Sequence, residues 1–224
     1  TYAVVGNVIP CGFSFPYVPR RVTIGAGMAM ESTVMACNRL CGSAMQAIIS
    51  VAQAIEFGDA EIGLAGGVEV MSAGGYLSPA MRNGARMGDT KMLDMMVAAL
   101  TDPFGAGHMG MTAENQAAKW GISREEQDAF ALLSQERAAQ AIAEGRFKSQ
   151  IVPVTLKTRK GEVIFDTDEH PRATSLEALA KMKPAFKKEG GTVTAGNASG
   201  INDGAAFLVL ADGAVAARGP HKPM

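Results

Sequence analysis

The chain has few cysteines, few aromatics, little net charge and no long apolar run, and each shortage removes a class of protein. Three cysteines, at positions 11, 37 and 41 of 224 residues, cannot build a disulfide framework. Cys37 and Cys41 form no CxxC and have no histidine pattern beside them, so no zinc site is expected, nor any other metal site. A net charge of −1 gives no general attraction to nucleic acid or anionic lipid, and neither is expected as a partner. No apolar run approaches a membrane span and no secretory leader opens the chain, so the protein reads as soluble and cytoplasmic. GxxxxGK[ST], a dinucleotide fingerprint and HExxH are missing too. The serine in Gly196-Asn-Ala-Ser-Gly200 does not fall at the G-x-S-x-G spacing.

What the chain does have is glycine, 26 residues of it, in a sequence that is 47% apolar. That mixture suits an α/β protein with tight strand-to-helix turns. Residues 2–9 read as a buried strand, and Ser32–Met35 as a β-prone run. Gly42–Phe57 predicts a helix, with Met45, Ile48, Ile49, Ala52 and Ile55 at three- and four-residue steps and Gly58 as its terminator. Glu61–Ala65 predicts the next strand, bounded by Gly66-Gly67, which completes a parallel β-α-β unit. Residues 68–108 are rich in Met and Gly and lack regular alternation, except for a helical stretch near Lys91–Leu100; they read as a functional insertion. Ser123-x-x-Glu126 is a capping box opening a helix that runs to about Gly145. Lys148–Thr158 reads as an edge strand interrupted by Pro153, residues 174–182 as a short helix, Gly191–Gly200 as a loop and Ala205–Leu210 as a final strand.

Cys41 is the candidate nucleophile. It stands at the hinge between a β-prone run and a helix N-terminus, where unsatisfied N–H donors and the helix dipole stabilise a thiolate. Gly42 and Ser43 behind it allow a sharp turn. The competing reading is a small buried hydrophobe. Cys37 lacks the glycine and reads as structural. His108, in Gly107-His-Met-Gly-Met111, is a turn residue or a base for Cys41. His170 and His221 are assigned no role. The basic groups Lys157, Arg159 and Lys160, and Lys181, Lys183, Lys187 and Lys188, are a solvated face or a docking surface for a phosphorylated ligand.

Several segments, in order along nearly the whole chain, resemble the thiolase family. They are Asn38-Arg-Leu-Cys-Gly-Ser-Ala-Met-Gln-Ala-Ile48, Gly66-Gly-Val-Glu-Val-Met-Ser72, Gly107-His-Met-Gly-Met-Thr-Ala-Glu-Asn115, Asp168-Glu-His-Pro-Arg172 and Gly191-Thr-Val-Thr-Ala-Gly-Asn-Ala-Ser-Gly200. The resemblance implies an α/β thiolase-like fold: an N-terminal half (1–67 and 191–224) with an inserted loop domain (68–190) that covers coenzyme A. It implies an acyl-CoA acyltransferase of the β-ketothiolase kind, with Cys41 as the acylated nucleophile. His108 and Met109 would line the pantetheine and thioester region. Ala195 and Ser199 would contact pantetheine, and Arg172 the nucleotide end. CoA and its thioesters are the expected substrates, with no bound cofactor, and the full-length protein is expected to be a homodimer or homotetramer. A ketoacyl-synthase-like condensing enzyme and a non-catalytic acyl-CoA- or lipid-binding fragment are the alternatives.

This chain departs from the family in carrying Ala44 in place of the usual Gly and Val70 in place of Ser. The family's opening strand and helix are not represented, nor is its second half, with an asparagine-bearing segment, a Gly-His-Pro histidine and a second cysteine. The chain is therefore expected to be truncated at both ends, and on its own to be poorly soluble and without turnover.

Overall fold

The computed structural model describes residues 1–220 and 222–223; His221, given no role above, lies outside the described residues. Along the chain run β1 (Tyr2–Gly6), α1 (Val18–Gly25), β2 (Thr33–Cys37), α2 (Ser43–Glu56), β3 (Ile62–Val70), β4 (Tyr76–Leu77), β5 (Leu93–Asp94), α3 (Met95–Ala99), β6 (Thr101–Asp102) and β7 (Gly107–His108). After them come α4 (Met109–Trp120), α5 (Arg124–Ala143), β8 (Val154–Thr158), β9 (Gly161–Phe165), α6 (Leu176–Ala180), β10 (Asp203–Ala211) and α7 (Gly213–Arg218). The chain divides into two compact units, Thr1–Thr101 with Ile201–Met224, and Asp102–Gly200.

The first unit is built on a four-stranded sheet of order β10-β3-β1-β2. β1 is parallel to both β2 and β3, while β10 is antiparallel to β3 along nine residues, from Asp203↔Val70 to Ala211↔Ile62. A strand flanked by parallel neighbours and covered on both faces needs an unbroken apolar run. Ala3, Val4 and Val5 supply it, each with no exposed surface. Full burial of a valine is worth about 1.5–3 kcal/mol. β3 does not stop at Gly66-Gly67 as expected but runs on to Val70, because β1 and β10 hold those glycines from both sides.

Helix α2 covers the sheet, but not with its large apolar residues. Its buried stripe is Ser43, Ala47 and Val51, while Met45 and Ile49 of the expected pattern are exposed. The reason lies in the sheet. A Cβ at Gly63 would fall 2.3 Å from Val51 Cγ1, and one at Gly67 3.0 Å from Ala44 Cβ. The helix axis is so close to the strands that only small or β-branched side chains fit between. The core cluster of Val4, Ala47, Val51 and Ala65, flanked by Ile48 and Ile55, results.

In the second unit, α4 ends in Gly121 with φ +64°, the left-handed terminator that glycine favours. α5 opens on the expected capping box, Ser123 with Glu126. β8 starts at Val154, after Pro153, and pairs with β9 in an antiparallel hairpin (Val154↔Phe165 to Thr158↔Gly161) that the sequence pattern does not announce. No helix among the described residues is long and apolar enough to cross a membrane.

Candidate active site

Cys41 follows β2 and precedes Gly42, the residue that caps α2. The link between strand and helix is a turn in which Leu40 has φ +48°, the one non-glycine in the left-handed region among the described residues. For a leucine this conformation costs roughly 1–2 kcal/mol. A dense set of bonds holds it. The Leu40 N–H donates to Asn38 Oδ1 at 3.0 Å, and Gly42 N–H to the Arg39 carbonyl at 3.0 Å. Ser43 straddles the turn: its hydroxyl donates to the Leu40 carbonyl at 2.6 Å and accepts from the Arg39 N–H at 2.9 Å. Ser43 is buried, whereas Cys41, two residues earlier, is exposed at the crest. Strain held in place by surrounding bonds, next to a nucleophile, is a recurrent way of presenting a reactive side chain.

Cys37 is different. Its thiol donates to the Ser43 carbonyl at 3.2 Å, and burial pushes its pKa up. It is held in the thiol form and ties the end of β2 to α2, the structural part expected for it.

Cys41 opens on a cavity of about 550 Å³ within the first unit. Small residues dominate the wall: Gly6, Ala44 and Gly67 at the helix–sheet contact, and Gly204 to Ala206 from β10. Ala44, where the family usually has glycine, is accommodated because Gly67 opposite has no side chain. The ionisable wall residue besides Cys41 is Glu69, and its oxygens are taken. They accept from Asn7 Nδ2, Val8 N–H and Ile9 N–H, each at 3.0 Å, which pins the exit of β1. Among the described residues, no histidine lines this cavity.

The remaining predicted site residues all belong to the second unit. His108 caps α4, accepting from the Gly110 N–H at Nδ1 (3.1 Å), which leaves Nε2 as the ring's N–H. Its ring stacks on Phe186 at 5.0 Å, and Gly110 leaves room for Phe186: a Cβ there would lie 2.3 Å from the phenyl ring. Met109, half exposed, is the first residue of α4. The Ala185 N–H, next to Phe186, donates to the Val193 carbonyl at 2.9 Å, so the His108 region is joined to the Gly191–Gly200 loop. Ala195 and Ser199 are exposed on that loop. Arg172 is exposed as well, fixed through its backbone N–H to Gln135 of α5 at 2.9 Å.

Sequence reasoning left out the residues that fix the loop. Glu114 is buried on α4 and accepts from Thr192 N–H, Thr192 Oγ1 and Val193 N–H, all at 2.9–3.0 Å. Burial alone would raise its pKa. The N–H groups of Val193 and Thr192, the Thr192 hydroxyl and the charge of Lys187 outweigh that and hold it below the ordinary carboxylate value. Asp128 of α5, also buried, accepts from Arg124 Nε at 2.7 Å and from Asn197 Nδ2 at 2.9 Å. A signal for Glu114 was available: Gly110, Glu114 and Ala117 recur at helical spacing, a stripe of small residues broken by one carboxylate.

The comparisons with known proteins bear on this geometry. Residues 1–214 match the family model described as thiolase, N-terminal domain. The beta-ketothiolase BktB of Cupriavidus necator is 50% identical over 224 residues, which is 100% of this chain and 57% of that protein. The acetyl-CoA acetyltransferase of Syntrophomonas wolfei is 50% identical over 92% of this chain and 52% of its own length. The crystal structure of human mitochondrial 3-ketoacyl-CoA thiolase superimposes with a TM-score of 0.92 at 41% identity, covering 97% of this chain and 55% of that one. The same human enzyme in complex with CoA gives a TM-score of 0.90 at 40% identity, over 97% and 54%. The chain thus spans about half the length of the curated relatives it matches. With the fold and the family model in agreement, the chain belongs to the thiolase family and corresponds to its N-terminal domain.

Proposed function

We propose that this chain carries the nucleophile of an acyl-CoA acyltransferase of the β-ketothiolase kind. The observation that supports this most is the placement of Cys41, exposed on a strained, bond-braced turn at the start of α2 and opening on an apolar cavity. In thiolysis the Cys41 sulfur attacks the 3-keto carbonyl of a 3-ketoacyl-CoA. The bond between C2 and C3 breaks, acetyl-CoA leaves as its enolate and is protonated, and the acyl group stays on sulfur. The thiol of a second CoA then attacks the acyl-cysteine; the carbon–sulfur bond to Cys41 breaks, acyl-CoA departs and Cys41 regains a proton. Claisen condensation is the reverse.

The proton transfers call for acid and base groups. With Glu69 engaged in pinning β1 and no histidine among the described residues lining the Cys41 cavity, this reading assigns them to groups beyond that cavity's wall. CoA is taken by the second unit, with His108 and Met109 at the pantetheine, Ala195 and Ser199 on the loop beside it, and Arg172 toward the phosphates. The named CoA complex of the human relative supports CoA as the ligand.

The test is acylation of the chain with acetoacetyl-CoA, acid quench, and intact and peptide mass spectrometry beside Cys41→Ser. An acetyl group on the Cys41 peptide alone, absent from the serine variant, is the expected result. A folded chain that stays unmodified, or is modified elsewhere, would refute nucleophilic action by Cys41 in this chain.

A further inference from the structure

Between α4 and α5, the segment Thr192–Asn197 is closed into a turn by its own hydrogen bonds. The Thr194 N–H donates to Asn197 Oδ1 at 2.7 Å, and Thr194 Oγ1 accepts from the Gly196 and Asn197 N–H groups at 3.2 and 3.3 Å. Asn197 Nδ2 donates to the Thr192 carbonyl at 3.0 Å, which draws the two ends of the turn together. Thr194 has no exposed surface at all.

Two buried carboxylates on different helices grip this turn from opposite ends. Glu114 takes the Thr192 and Val193 N–H groups and the Thr192 hydroxyl. Asp128 takes Asn197 Nδ2 and is itself oriented by Arg124. Arg124 Nη2 goes on to the Leu179 and Met182 carbonyls at 2.6 and 3.0 Å, the two residues whose side chains bound the turn below. A Cβ at Gly196 would come within 2.5 Å of both Leu179 Cδ2 and Met182 Sδ. The turn is thus pressed onto the end of α6 and cannot shift without breaking charge-assisted bonds. Ala195 is exposed at its crest and Ser199 just beyond it.

We propose that Glu114 and Asp128 are positioning residues for CoA binding, fixing from two sides the turn that presents Ala195 and Ser199. The inference rests on the reading of this loop as the pantetheine contact. Glutamine at 114 would offer one acceptor and one amide donor where several donors converge, so the N-terminal arm of the turn is released. Aspartate keeps the charge on a shorter stem and restores part of the grip. Alanine at 197 removes the other arm while leaving Glu114 untouched.

The experiment compares the wild-type chain with Glu114→Gln, Glu114→Asp and Asn197→Ala. Folding is checked by circular dichroism, CoA affinity by calorimetry, and amide exchange of peptides spanning 191–200 by mass spectrometry. Glu114→Gln and Asn197→Ala are each expected to weaken CoA binding about tenfold or more, the effect of losing a hydrogen bond to a buried charge. Faster exchange should be confined to the 191–200 peptides, and Glu114→Asp should recover part of both properties. Wild-type affinity in a folded Glu114→Gln or Asn197→Ala chain overturns the positioning role. Should Glu114→Gln fail to fold, Asn197→Ala decides by the same readouts. A wild-type chain that takes up no CoA overturns the loop's assignment itself, a result distinguishable because exchange still reports whether the carboxylates hold the turn.

Discussion

Gly6, the last residue of β1, faces the first turn of α2 so closely that a Cβ on it would lie 2.8 Å from the Ala44 backbone nitrogen. The same ideal Cβ would stand 2.8 Å from the Ser43 carbonyl carbon and from Ser43 Cβ. Strand and helix backbone therefore touch directly beneath the cysteine turn. Gly6→Ala is expected to lower stability by about 1–3 kcal/mol, the usual result of overpacking. Gly58→Asn is the control: Gly58 caps the far end of α2 at φ +81° with nothing near it, and asparagine tolerates that conformation. Urea melts of the two variants check the contrast.

Leu40 carries the strain of the turn, and its replacement reports on it. Leu40→Gly adopts φ +48° without steric cost and is expected to hold or gain stability. Leu40→Val, β-branched in the same region, is expected to lose about 1–2 kcal/mol relative to leucine. Equal melts for the two would show that the turn is not strained.

Ser43→Ala leaves the Arg39 N–H and the Leu40 carbonyl without the hydroxyl that joins them. The expected loss is about 0.5–1.5 kcal/mol, the net worth of a hydrogen bond, because the Leu40 carbonyl keeps the Ser43 N–H. A changed rate of Cys41 alkylation should accompany it, because the turn that presents the sulfur is loosened. An unchanged rate together with an unchanged melt would count against this bracing.

Thiol labelling separates the two neighbouring cysteines. Burial keeps Cys37 as a thiol, donating to the Ser43 carbonyl, while Cys41 is exposed. Since the thiolate is the reactive species, iodoacetamide near neutral pH is expected to modify Cys41 well before Cys37. Peptide mapping over a time course reads the order directly.

The acid limb of stability has a named contributor. Glu114 titrates below the ordinary carboxylate value in the folded chain, so its stabilising effect is present above the unfolded value, about 4.3, and fades as pH falls through the folded one. Glu114→Gln is expected to flatten the stability–pH curve below about pH 4.3, leaving the neutral-to-alkaline side parallel to wild type. Asp203, held low by hydrogen bonds from the Ser72 hydroxyl and N–H, shifts in the same direction. A residual acid slope in the variant is therefore expected.

The place of Cys41 between a strand and a helix was legible because both elements leave local marks: a β-prone run, a glycine, then a 3.6-residue period. Which side of α2 packs was not. Met45 and Ile49 are the more apolar residues, but Gly6, Gly63 and Gly67 on distant segments decide that Ser43, Ala47 and Val51 face the sheet. Pairing from both sides likewise carried β3 through Gly66 and Gly67, where local propensity places an end. Of the β8–β9 hairpin, β8 falls within the expected edge strand, while β9 escaped notice since it is exposed throughout and no alternation of burial was imposed on its sequence. Glu114 and Asp128 were missed for a related reason: a buried carboxylate is recognisable by its partners, and those lie 69 to 79 positions further along the chain.

The antiparallel seam between β3 and β10 also sets an order of events. Gly204, Ala205 and Ala206 close one wall of the Cys41 cavity, and Asp203 locks to Ser72 across a separation of 131 positions. On a ribosome these residues emerge long after the cysteine, when β1, β2, α2 and β3 are already outside the exit tunnel. Contacts this distant in sequence are slow to close. The growing polypeptide therefore exposes the Cys41 sulfur before the cavity wall exists. Completion of that wall is tied to translation of the whole intervening segment.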